Sequence, residues 1–200
     1  MSIKEDMHEF VNKYMNITAE ERAAVVDYAL STWEPELPDN LKILHFVGGI
    51  GIGKTLALHA MLFMCNNVNN DIDRATDAAL LHLLDMYTPS VLIVDDVDEL
   101  LFEKDEDGDL RDSILSSILR VGTNKRTSLI LRKTTDGFAK YNVFGHKIVA
   151  GMKVFDDPRL ASRSLVIRLK EAKTFNLLRF EADGEILFEH LLEAKSAWEV

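Results

Sequence analysis

Eight consecutive residues, Gly48-Gly49-Ile50-Gly51-Ile52-Gly53-Lys54-Thr55, fit the spacing G-x-x-x-x-G-K-[ST], the pattern of a loop that wraps phosphate. Glycines let a backbone turn sharply and bring its N–H groups against phosphate oxygens. A helix starting at the end of such a loop adds about half a positive charge aimed at the same anion. In this pattern Lys54 is the contact to the β- and γ-phosphates, and the Thr55 hydroxyl is a Mg²⁺ ligand. Gly48 to Thr55, with Leu56 behind them, are therefore the candidate nucleotide-binding residues. The flanks agree with the motif. Lys42 to Val47 is a short apolar run that reads as a buried strand, and Leu56 to Met64 reads as a helix.

A second stretch supplies carboxylates. Val91-Leu92-Ile93-Val94 suits a central parallel strand covered on both faces. Asp95 and Asp96 follow at its C-terminal end, where open α/β sheets bind ligands. This is a Walker B pattern. Asp95 is the expected holder of Mg²⁺, and Asp96 stands where an acid polarises the attacking water. Glu99 is the nearby substitute, because aspartate reaches one methylene less far than glutamate.

Length and composition bound these readings. Two hundred residues suit one domain, and 47% apolar residues predict a folded globular chain. No apolar run is long enough to span a bilayer, and residues 1–6 lack the regions of a signal peptide. The lone Cys65 has no internal disulfide partner. A cytoplasmic protein is expected, with no membrane partner. The six histidines show no zinc-ligand spacing. The net charge of −10 disfavours a general affinity for nucleic acid, yet residues 111–170 hold thirteen Lys/Arg against four Asp/Glu. That basic segment is either a local positive surface or a solvated face.

The remaining pattern is helix, then alternation. Ile3, Met7, Phe10, Val11 and Tyr14 give one amphipathic helix, and Thr18-Ala19-Glu20-Glu21 opens another with a capping box. Pro35 and Pro38 end it. Asp77 to Met86 predicts a helix capped by Thr76. Leu101 to Asp109 reads as a solvated acidic loop, and Leu110 to Val121 as a helix ended by Gly122. Thr127 to Arg132 and Tyr141 to Phe144 predict a hairpin turning at Thr135-Asp136-Gly137. His146 to Gly151 and Leu165 to Leu169 read as further strands, and residues 186–198 as a closing helix.

The order of these motifs resembles an AAA+-type P-loop ATPase. More narrowly, it is similar to a primase–helicase-associated ATPase family of phage- and plasmid-type proteins, itself of unknown function. Trp33, the loop 48–55, Asp95-Asp96 with Leu100-Leu101-Phe102, the helix from Leu110 to Leu119, Phe144 to Gly151 and Arg163 to Leu169 carry the likeness, over roughly residues 33–170. Helix, hairpin, strand and then an arginine segment also resembles the MCM and superfamily III helicases.

The resemblance implies a three-layer α/β P-loop NTPase fold, with a central, mainly parallel sheet and a β-hairpin insertion. Residues 1–40 would be a helical segment packed on the core, 41–170 the ATPase core, and 171–200 a short extension with a reduced or absent lid. It implies ATP and Mg²⁺ as cofactors and a homo-oligomer, in which Arg163 reaches the γ-phosphate of a neighbouring copy. Arg159 is the second choice. Lys133 and Lys140, at the hairpin tip, become candidate DNA contacts, and replication or other phage or plasmid proteins become partners. The expected catalytic set is Lys54, Asp96, Glu99 and Arg163. Two other readings stand beside this one: a nucleotide-dependent binding or scaffold module with little hydrolysis, and a small-molecule kinase.

Overall fold

The computed structural model describes residues 2–69, 76–104, 109–135, 137–171 and 176–198. Its centre is a five-stranded, all-parallel sheet. The chain enters through two helices, α1 (Ile3–Tyr14) and α2 (Ala19–Ser31), before the first strand, β1 (Ile43–Val47). Helix α3 (Lys54–Met64), β2 (Val68–Asn69), α4 (Asp77–Met86) and β3 (Ser90–Val94) follow, then the single turn α5 (Val97–Leu100). A small ribbon, β4 (Phe102–Lys104) and β5 (Leu110–Asp112), precedes α6 (Ile114–Val121), and a second ribbon is made by β6 (Leu129–Thr134) and β7 (Gly137–Asn142). The last elements are β8 (Gly145–Gly151), α7 (Pro158–Ala161), β9 (Ser164–Arg168) and α8 (Leu177–Trp198). The sheet order is β2-β3-β8-β1-β9.

Alternation along the strands explains why both faces of this sheet are covered. Leu44 and Phe46 of β1, with Ile148 and Ala150 of β8, point into one cluster, which α1, α2, α3 and α8 close. Ile43, Leu92, Val94 and Val149 point to the other side, against α4 and α6. Strands β1, β3 and β8 are buried along their whole length, as parallel strands between two helical layers must be. Each large side chain so buried contributes about 1.5–3 kcal/mol. A slip of one residue in β8 would exchange Ile148 for Val149 and Lys147, so the register Leu44↔Ile148 is strongly held.

The first two helices open on capping boxes, Ser2 with Glu5 and Thr18 with Glu21; the second is the one the sequence announces. They pack on the core rather than apart from it. Phe10 stacks on Phe180 at 5.6 Å, Phe63 meets the same ring edge-on at 5.7 Å, and the Trp33 indole donates to the Met64 carbonyl at 2.8 Å.

Three expected elements differ. Helix α6 begins at Ile114, not Leu110, because Ser113 caps it by accepting from the Ser116 N–H. Leu110–Asp112 instead pairs antiparallel with Phe102–Lys104; the acidic loop is thus partly a ribbon, and residues 105–108 lie outside the described residues. Helix α8 starts at Leu177, nine residues ahead of the expected 186, and runs through Gly184. That glycine permits contact, since a Cβ there would lie 2.4 Å from the Phe63 ring. The hairpin returns at Gly137–Asn142, ahead of the predicted 141–144, and Asp136 of its turn lies outside the described residues. Among the described residues no helix is long and apolar enough to cross a membrane.

Candidate functional site

The glycine-rich loop leaves β1 at the C-terminal edge of the sheet and feeds directly into α3. Gly51 (φ 73°) and Gly53 (φ 98°) occupy the left-handed region, which only glycine visits at little cost. Gly53 is the residue before the first turn of α3, so the helix N-terminus and the loop amides converge. Lys54 is buried, and its ammonium donates to the Gly49 carbonyl at 3.0 Å, curling back across the loop. Ile50 stands out at the loop tip, 88% exposed.

The two sequence-predicted motifs, 40 residues apart, meet here. The Thr55 hydroxyl donates to Asp95 Oδ2 at 2.6 Å. Asp95 directly follows β3, and its other oxygen accepts the Asp96 N–H at 2.8 Å. That bond turns the chain, and Asp96 takes a left-handed backbone (φ 45°), a strained state for a non-glycine residue. Asp96 and Glu99 are exposed and line, with Asp95, one cavity of about 560 Å³. A hydroxyl and a carboxylate at this spacing are hard oxygen donors of the kind Mg²⁺ prefers. No cluster of three or more His, Cys, Asp or Glu at metal-binding spacing occurs among the described residues; a Mg²⁺ here would take further oxygens from phosphate and water.

Two more ties hold these parts in place. The Gly48 N–H donates to the Gly151 carbonyl at the end of β8 at 3.2 Å. Asp98, a residue the sequence reading passed over, accepts the Met152 N–H. Gly151 makes that approach possible, because a Cβ on it would lie 2.6 Å from Asp98 Oδ2. Loop, acidic turn and β8 are thereby hydrogen-bonded into one ring: Thr55 to Asp95, Asp98 to Met152, Gly151 to Gly48. A carboxylate three residues after Asp95 was the available signal.

His45, beneath this ring on β1, was also missed. It is fully buried, with its ring 4.3 Å from that of Phe155, and neither nitrogen has a partner among the described residues. Burial pushes its pKa down to about 4, with Asp98 opposing weakly, so the imidazole is neutral.

The predicted arginines lie elsewhere. Arg163 precedes β9 at the opposite, N-terminal edge of the sheet, where its guanidinium donates to the Arg120 carbonyl at the end of α6. Arg159 clamps Asp157 through Nε and Nη2, both at 3.0 Å. Those bonds, with the Arg159 N–H and Arg120 added, hold the Asp157 carboxyl far below the usual range. Within one copy neither arginine joins Lys54, Thr55 and Asp95. Lys133 and Lys140 are exposed on the β6–β7 ribbon. No protein-family model matches this chain, and no curated protein matches it either.

Proposed function

We propose that the chain binds ATP with Mg²⁺ on the loop 48–55 and hydrolyses it, as an AAA+-type P-loop ATPase of three layers. The single observation carrying this reading is the 2.6 Å bond between Thr55 Oγ1 and Asp95 Oδ2, which joins the two motifs that a nucleotide–metal complex would need side by side. Lys54 exchanges the Gly49 carbonyl for phosphate, a stronger charge-assisted partner. Thr55 and Asp95 hold the metal, directly or through water. Bound Mg²⁺ supplies charge neutralisation on the phosphate oxygens. Asp96, with Glu99 behind it, orients the attacking water from the cavity side. The chemistry is positioning and charge stabilisation, with no covalent intermediate on the protein.

Arg163 completes this proposal only from a second copy, since its own lies across the sheet from Lys54. The nucleic-acid setting implied by the resemblance rests on Lys133 and Lys140. Mg²⁺-dependent ATP turnover tests the core of the reading. Asp95→Asn is expected to lower it by roughly 10²–10³-fold, as for loss of one stabilising group; unchanged turnover sinks the assignment. Arg163→Ala is expected to lower turnover with ATP affinity nearly unchanged, and mixing it with Lys54→Ala protein is expected to restore part of it.

A second reading has its own support. Arg163 is engaged with the Arg120 carbonyl and Asp96 is a short acid, so the chain also suits a nucleotide-dependent binding module. Tight ATP binding without turnover, at any protein concentration, would select that reading.

A further inference from the structure

The β6–β7 ribbon has two unlike faces. Ile130 pairs with Tyr141 and Arg132 with Ala139 on the face turned to α4, where Tyr141 is buried and Arg132 meets Asp77 at 3.2 Å. The other face carries Leu129 opposite Asn142, Leu131 opposite Lys140, and Lys133 opposite Phe138. Leu129, Leu131 and Phe138 are 57%, 59% and 75% exposed. Three large apolar side chains this exposed on one short ribbon mark a contact surface. Its six residues include two lysines and no carboxylate.

The cavity beside Asp95 is the counterpart. Leu80 and Leu115 lie in its floor, and Phe102 and Leu100 line it while remaining 52% and 45% exposed. Asp95, Asp96 and Glu99 give it carboxylates with no ion pair among the described residues, Asp77 and Glu103 already being paired with Arg132 and Arg111, and no described residue lining it is a lysine or arginine. Apolar floor and acidic lining thus match apolar stripe and lysines, in shape class and in sign of charge.

We propose that this cavity receives the exposed face of the β6–β7 ribbon from a second copy of the chain. Phe138 and Leu131 cover Phe102 and Leu100, while Lys133 and Lys140 approach Asp96 and Glu99. The ribbon's balance of apolar to cationic residues favours a protein surface over a phosphate backbone, which needs cations and gains nothing from exposed leucines. Every copy both offers a ribbon and holds a cavity, and the smallest assembly satisfying both is a two-fold dimer. The surfaces adjoin within one chain: a neighbouring cavity lined by Ile130, Leu131 and Arg132 also touches Asp77 and Glu103. That contiguity is what a two-fold contact requires.

Sedimentation velocity of the full chain between about 1 and 100 μM, the range for a modest interface, tests the proposal. The wild type is expected to associate with rising concentration. The double variant Lys133→Glu/Lys140→Glu is expected to stay monomeric, and so is Glu99→Lys. An equimolar mixture of the two variants is expected to recover association, because each then meets an opposite charge. A wild type that stays monomeric throughout overturns the proposal, as does a mixture no better than its components. Anisotropy of a labelled single-stranded oligonucleotide is the second arm: if the double variant loses oligonucleotide binding with its sedimentation unchanged, the ribbon is a nucleic-acid surface and the proposal falls. None of these readouts uses ATP, so failure of the ATPase reading stays separately visible.

Discussion

Two buried lysines in this molecule make the same kind of bond, an amine given to backbone carbonyls. Lys54, at the C-terminal edge, gives its ammonium to one carbonyl, that of Gly49 in a loop. Lys147, in the middle of β8, gives its amine to two, Val143 at 3.0 Å and Gly145 at 2.9 Å, where the ribbon joins the sheet. Lys147 is completely buried and burial pushes its pKa down to about 7. Two acceptors match the two N–H groups of a neutral amine. The difference lies in what surrounds the bond. A loop carbonyl can be traded for an incoming anion, whereas two carbonyls fixed by the fold cannot. On the proposed reading Lys54 is the one available for exchange, while Lys147 staples the chain together.

The contrast can be broken most directly at the staple. Lys147→Ala opens a hole in the central strand and strands two carbonyls, so chemical denaturation is expected to show a loss of about 2–5 kcal/mol. Lys54→Ala is expected to behave oppositely, with ATP turnover falling by roughly 10²–10³-fold and the denaturation midpoint moving little. If both variants lose stability alike, the distinction between them fails. The pH dependence sharpens it. The folded Lys147 titrates near 7 and the unfolded one near its ordinary 10.5, so between those values the unfolded chain binds the extra proton. The burial penalty is full below pH 7 and relieved as pH rises, so wild-type stability relative to Lys147→Met is expected to climb by at most about 1.4 kcal/mol per pH unit over that window. A flat difference would mean that the amine is charged when buried. The smallest effect concerns a neighbour. Tyr28 donates to the Lys147 carbonyl at 2.9 Å and accepts its N–H at 3.0 Å. Tyr28→Phe is expected to cost about 1–2 kcal/mol in the same denaturation measurement, with turnover untouched.

The parts legible in the sequence are those whose signal is local. The loop, the buried strands at 91–94 and 146–151, and the Thr18 and Thr76 caps each follow from a short window. The meeting of Thr55 with Asp95 was readable because two motifs with known roles were present. Other features depend on contacts between distant segments. The β4–β5 ribbon pairs two three-residue pieces too short to show alternation, and it took the residues that open the expected helix at Leu110. Gly184 reads as a helix breaker until Phe63 is seen lying against it. Asp98 reads as one more surface acid until Gly151 leaves room for it. Lys147 in an apolar run gives no sign that the carbonyls of Val143 and Gly145 will receive it, and Arg163 no sign that its acceptor is the end of α6.

The packing of α8 on α1 bears on the order of events in time. Phe10 and Tyr14 are synthesised well before Phe180, the ring that both of them meet, which is about 170 residues further along the chain. Tyr14 and Lys13 also bond Asp183, at separations of 169 and 170 residues. Contacts that span so much of the chain are slow to form, because their loop must be closed before they return anything. The first helix meets α2 and α3 sooner, but the part of it that faces Phe180 and Asp183 stays uncovered until the last helix arrives. A chaperone acting on this chain would find a client surface on that side of the helix.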